Sequence, residues 1–141
     1  MKNIFKILLL PFSLIMLSSS VCHAEIAVII NSSVSEEASM NDIKKIFLGK
    51  SKSLPSGHKV TPIALAEGSS VRDEFNETVL KKSDSQLKSY WAKLIFTGKG
   101  RPPNDVGSDQ DMISEISSDP NTIGYIDAKN VTPDVKVLLS F

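Results

Sequence analysis

Between residues 59 and 80 the chain changes periodicity, and that change limits what the rest can be. Lys59-Val60-Thr61-Pro62-Ile63-Ala64-Leu65 is a β-like run. After Ala66-Glu67-Gly68-Ser69-Ser70, the residues Val71, Phe75, Val79 and Leu80 fall on one face of a helix. A strand, a Gly-Ser-Ser turn and a helix start in that order make an anion cradle. The first helical N–H groups have no partner inside the helix, and the helix dipole favours negative charge beyond them. Gly68 permits close approach, Ser69 and Ser70 add hydroxyl donors, and Arg72 adds a guanidinium fork. The competing reading is ordinary helix capping by Ser69 or Ser70.

Other elements alternate around this unit. Glu25 to Ile30 is a continuous β-branched apolar run and reads as a buried strand. Ser39 with Asp42 three residues on forms a capping box for a helix with Ile43, Ile46 and Phe47 inward, ending at Gly49. Ser83 or Asp84 opens a helix whose apolar positions are Leu87, Tyr90, Trp91, Leu94 and Ile95, with Gly98 at its end. Val106 is expected as a short edge strand. Ser108 caps a helix with Met112, Ile113 and Ile116 inward, and Thr122–Asp127 and Val135–Leu139 read as strands. Alternating strands and helices define an α/β fold with a mixed sheet.

The first residues read as a secretory signal peptide. Lys2 and Lys6 precede an apolar run from Ile7 to Leu17, and Ser18 to Ala24 is a small-residue exit, so cleavage is expected after Ala24. The apolar run is shorter than the roughly 20 residues a membrane anchor needs. Cys22 would suit a lipoprotein signal, but Val21 before it is too large for one. Residues 25–141 then form one domain in the periplasm, without the chain's single cysteine. The whole chain balances 16 basic against 16 acidic residues, so loss of Lys2 and Lys6 leaves a slight acidic excess. That excludes a nucleic-acid footprint or a polybasic membrane patch.

Four segments in order carry a resemblance: Ile26 to Asn31, Asp42-Ile43-Lys44-Lys45-Ile46-Phe47-Leu48-Gly49-Lys50, Glu67 to Phe75, and Asn121-Thr122-Ile123-Gly124-Tyr125-Ile126. The set resembles the phosphate-binding proteins of ABC-type phosphate importers. The resemblance implies a single compact lobe of a periplasmic-binding-protein-like fold, a mixed sheet flanked by helices. It implies a solute-binding protein for phosphate or a related oxyanion, linked to an ABC permease or another envelope protein. The ligand would be held by Gly68, Ser69, Ser70 and Arg72, with Glu67 accepting a proton from monobasic phosphate. In the family the turn reads Arg-x-Asp-Gly-Ser-Gly-Thr. Here Leu65 stands at the Arg position, Val71 at the Thr position, and Ser70 replaces a glycine. Family members clamp phosphate between two lobes. A one-lobe chain would recover the second wall by forming a homodimer or by docking on another protein.

No catalytic constellation is visible. Ser69 and Ser70 lack a local base, and His58 lies alone in a polar loop. One histidine and no cysteine in the mature chain give no metal set, and no cofactor motif is present. Trp91 belongs to an apolar stripe and reads as core; Lys99 and Arg101 read as a solvated loop. Two functions stand: an oxyanion-binding module, or a ligand-free interaction or sensory accessory domain that retains the lobe fold.

Overall fold

A computed structural model describes residues 23–141; residues 1–22, with nearly all of the expected signal peptide, lie outside the described residues. Five strands form one mixed sheet: β1 (Ile26–Asn31), β2 (Thr61–Leu65), β3 (Asn104–Val106), β4 (Thr122–Asp127) and β5 (Val135–Ser140). Their spatial order is β3-β2-β4-β1-β5. β2 runs parallel to β3 and to β4, whereas β1 is antiparallel to both β4 and β5. Among the described residues there are four α-helices: α1 (Met40–Phe47), α2 (Ser70–Phe75), α3 (Asp84–Phe96) and α4 (Asp109–Ser118); α1, α2 and α4 pack on the sheet, and α3 lies against the end of α1. The expected mixed sheet flanked by helices is the observed architecture.

The helix ends follow the chemistry of their first turns. The Ser39 side chain accepts from the Asp42 amide while the Asp42 carboxylate accepts from the Ser39 amide. Ser83 and Gln86 repeat that reciprocal pairing at the start of α3. Asn31, buried at the end of β1, donates from its side-chain amide to the carbonyls of Ile116 and Ser117. It thereby satisfies carbonyls that the end of α4 leaves without helical partners.

Adjacent residues of β4 show how the two faces are filled. Tyr125 lies against Phe47 of α1 and Phe75 of α2, so α1 and α2 cover its side of the sheet. Gly124 points the other way. A Cβ there would overlap the sulfur of Met112 and stand 3.0 Å from Cδ1 of Ile116, both buried on α4. The absence of a side chain lets α4 lie directly on the central strand. Gly124→Ala is expected to cost about 1–3 kcal/mol through overpacking. Chemical denaturation measures it, and an unchanged midpoint would mean that α4 is free to shift away.

Phe75 is followed by one π-helical turn, Asn76–Leu80, which closes on Lys81 in the left-handed region at φ 56°. The wider turn keeps Asn76, Val79 and Leu80 all buried. α3 departs from its expected face at one end. Leu87 and Trp91 are buried, but Ile95, next along the stripe, is 53% exposed and Phe96 is 94% exposed. The last turn of α3 therefore runs past the core.

Candidate functional site

The Gly-Ser-Ser turn sits at the carboxyl end of β2. The Ala66 amide donates to the Val106 carbonyl at 2.9 Å, which holds the end of β2 against β3. Gly68 then takes φ +89°, a left-handed conformation that side chains disfavour, and the chain turns into α2. Ser69 is the N-cap: its Oγ accepts from the Arg72 amide at 3.3 Å. The capping reading thus describes the Ser69 oxygen. Its hydroxyl proton, the Ser70 hydroxyl and the amides of Ser70 and Val71 make no hydrogen bond among the described residues. Ser70 and Gly68 are exposed and Ser69 is half-buried. Four donors are therefore left without protein partners at the positive end of a helical run.

Arg72 is held in ion pairs beside the turn. It is only 16% exposed; Nη1 donates to the Leu65 carbonyl at 2.7 Å and to Asp105 Oδ1 at 2.9 Å, and Nε lies 3.5 Å from Asp84 Oδ1. It fastens β2, β3 and α3 together under the turn. Glu67, exposed on the turn, pairs with Lys88 at 3.1 Å, and Lys88 reaches Asp84 at 3.8 Å. The hydrogen bond and charge of Glu67, with the charge of Asp84, hold the Lys88 ammonium above its ordinary pKa. Glu67, Lys88, Asp84, Arg72 and Asp105 thus form an alternating chain with one negative charge in excess. Of the residues expected to hold an anion, Gly68, Ser69, Ser70 and Glu67 share one exposed edge. Arg72 braces that edge from below.

Behind the network lies a cavity of about 210 Å³, with Phe75, Asn76, Leu87, Trp91 and Tyr125 among its walls and Arg72, Lys88 and Asp105 towards the outside. Sequence reading passed over Asn76, although a polar residue beside the Phe75, Val79, Leu80 stripe was the available signal. It is 5% exposed and its side-chain nitrogen has no hydrogen-bond partner. Tyr125 accepts from the Leu65 amide at 3.3 Å, and burial pushes its hydroxyl pKa well up, so it stays protonated. Lys99 and Arg101 are exposed, as expected of a solvated loop. His58 Nε2 lies 3.0 Å from the Pro120 carbonyl. Among the described residues, no group of three or more His, Cys, Asp or Glu side chains is placed to hold a metal ion. Among the same residues, no helix is long and apolar enough to cross a membrane.

No family model matches the chain. No curated protein matches it either. Solved structures do share its fold. An ABC-type phosphate transport receptor from Vibrio cholerae aligns with TM-score 0.62 at 16% identity, over 82% of this chain and 46% of that one. A protein assigned as a phosphate ABC transporter substrate-binding protein from Clostridium perfringens, solved with bound phosphate, aligns with TM-score 0.61 at 20% identity, over 82% and 45%. PstS from Borrelia burgdorferi aligns with TM-score 0.58 at 15% identity, over 82% and 47%. The chain spans less than half the length of each of these proteins. Their likeness establishes the lobe fold of phosphate-transport binding proteins.

Proposed function

We propose that the chain is a periplasmic, non-enzymatic solute-binding module for phosphate or a related oxyanion, linked to ABC-type phosphate uptake. One observation carries this reading: the amides of Ser70 and Val71 and the Ser70 hydroxyl have no partner among the described residues, at a Gly-turned helix start in a fold shared with phosphate-transport proteins. The two amides and the hydroxyls of Ser69 and Ser70 donate to the anion, and the helix dipole adds attraction. Glu67, two residues before Ser69 in the turn, is the proposed acceptor for the proton of monobasic phosphate. The site has one wall, so water competes for the anion. Pairing of two copies, or docking on a permease or another envelope protein, would supply the second wall.

The alternative, a ligand-free interaction or sensory accessory domain, draws support from Arg72, whose guanidinium is bound to Asp105 and the Leu65 carbonyl rather than turned to solvent. Calorimetric titration of residues 25–141 with phosphate and sulfate separates the two, and no heat with either anion favours the accessory domain. The serines separate binding from capping. Ser70→Ala is expected to weaken phosphate about tenfold, the effect of one hydrogen bond to a charged group, with stability unchanged. Ser69→Ala is expected to cost about 1 kcal/mol of stability through the lost cap. Equal phosphate affinity in wild type and Ser70→Ala would reduce the turn to a helix cap.

A further inference from the structure

Charge that is balanced over the whole chain is segregated along it. Residues 43–66 and 85–104 contain no Asp or Glu, and every charged side chain in them is Lys or Arg. The fold joins the two segments: the Tyr90 hydroxyl donates to the Leu48 carbonyl at 2.6 Å, and Gly49 lies against the Trp91 ring. Beside that contact, Lys52, Ile95, Lys99 and Arg101 border one surface hollow. Ile95 is 53% exposed, and Phe96, next to it, is 94% exposed. Lys93 stands one turn before Phe96 on the same side of α3. Lys52, Lys93, Lys99 and Arg101 are all exposed, and none of them is in an ion pair among the described residues. A second hollow bordered by Ile95 and Arg101 includes one carboxylate, Asp105, which Arg72 binds. Four basic groups against that one carboxylate leave this end of the molecule positive.

We propose that this end docks on an anionic phospholipid surface, with Phe96 and Ile95 inserted among the headgroups and the basic side chains on the lipid phosphates. Apolar side chains flanked by Lys and Arg hold interfacial helices at the headgroup boundary of a bilayer. The last turn of α3 and the loop after it present the same combination. Each basic group near an anionic bilayer adds attraction, and a Lys stem lies along apolar neighbours while its ammonium reaches outward. Composition favours lipid over a protein partner. Protein interfaces are depleted in Lys, and Lys52, Lys93 and Lys99 outnumber Arg101 here. A protein surface would also need a recess for Phe96, whereas a fluid headgroup layer needs none. The overall charge balance, which argues against a polybasic patch, averages over unlike faces. The inference uses none of Gly68, Ser69 and Ser70, so it stands whether or not their turn binds an oxyanion.

Vesicles of phosphatidylglycerol mixed with phosphatidylcholine, and of phosphatidylcholine alone, are the probes. Residues 25–141, which hold every strand and helix of the described fold, are sedimented with each. Saturable binding to the anionic vesicles is expected, about tenfold or more above phosphatidylcholine alone and weakening as salt rises. Phe96→Ala is expected to lower the partition about tenfold, the effect of withdrawing one aromatic side chain from an apolar layer. Lys99→Gln and Arg101→Gln are each expected to lower it about fivefold on the anionic vesicles only. All three positions are exposed, so the fold is retained, and circular dichroism verifies it. No binding to the anionic vesicles, equal binding to both kinds, or binding indifferent to Phe96 would overturn the proposal. Self-association lost in Phe96→Ala, without vesicle binding, would assign the face to a second copy instead. Inorganic phosphate is the last arm, with chloride of equal ionic strength as reference. It is expected to release no more protein than chloride does; selective release would place the lipid phosphates at the Ser70 turn and overturn the proposal.

Discussion

Phe75→Ala is expected to lower stability by about 3–5 kcal/mol, the usual cost of emptying a buried aromatic position. Phe75 is fully buried. Its ring stacks on Tyr125 at 3.9 Å with planes 5° apart and meets Phe47 edge-on at 4.8 Å. The three rings come from α1, α2 and β4, so one side chain joins two helices to the central strand. A small domain has only about 5–15 kcal/mol in total, so the variant is expected to be near the limit of folding at ambient temperature. Phe96→Ala is the internal control. The same atoms are removed, but Phe96 is 94% exposed, and the expected change is within about 0.5 kcal/mol. Denaturant titration of both variants measures the difference. Similar midpoints for the two would show that the Phe47–Phe75–Tyr125 cluster is not the centre of the core.

What could be read from the chain was local. Ser39 with Asp42 starts a helix because the motif satisfies its own orphan amides, with no help from elsewhere; of the two openers expected for α3, Ser83 is the cap, and it pairs with Gln86 in the same way. The turn at Gly68 was legible for the same reason, as was Val106 on a short strand at the sheet edge. The partners of Arg72 were not. Leu65 is close in sequence, but Asp105 is 33 residues away, and the parallel pairing of β2 with β3 is what brings it within reach. A guanidinium beside a Gly-Ser-Ser turn reads as an anion ligand in the sequence, and its ion pairs become visible only with that pairing. Ile95 shows the converse. Its spacing from Leu87 and Trp91 is helical and apolar, yet periodicity does not say where the core ends, and α3 outruns it. The π-helical turn at Asn76 was equally hidden, because no local residue pattern distinguishes it from continued α-helix.

Arg72 and Asp105 together give the second large effect, and the two substitutions are expected to act in opposite directions on anion binding. Arg72→Ala removes the donor to the Leu65 carbonyl and to Asp105, along with the charge facing Asp84. A hydrogen bond from a charged group contributes about 1.5–3 kcal/mol, and the share from Asp105, whose side chain is 47% exposed, is screened by water. The expected loss is therefore about 2 kcal/mol of stability, most of it at the Leu65 carbonyl. Removing the cation also leaves Glu67, Asp84 and Asp105 facing only Lys88, so the excess negative charge beneath the turn doubles and phosphate affinity should fall. Asp105→Asn acts on the same network with the opposite sign. It neutralises the cluster while the Arg72 bond to Leu65 remains, so phosphate is expected to bind more tightly, by several-fold at low ionic strength, with the gain fading as salt rises. Stability should fall by less than about 1 kcal/mol, as for other half-exposed ion pairs. Calorimetry with phosphate at two salt concentrations reads both variants. If Asp105→Asn weakened phosphate as much as Arg72→Ala, the two residues would act through the shape of the β2–β3 edge, and the electrostatic account of the site would be wrong.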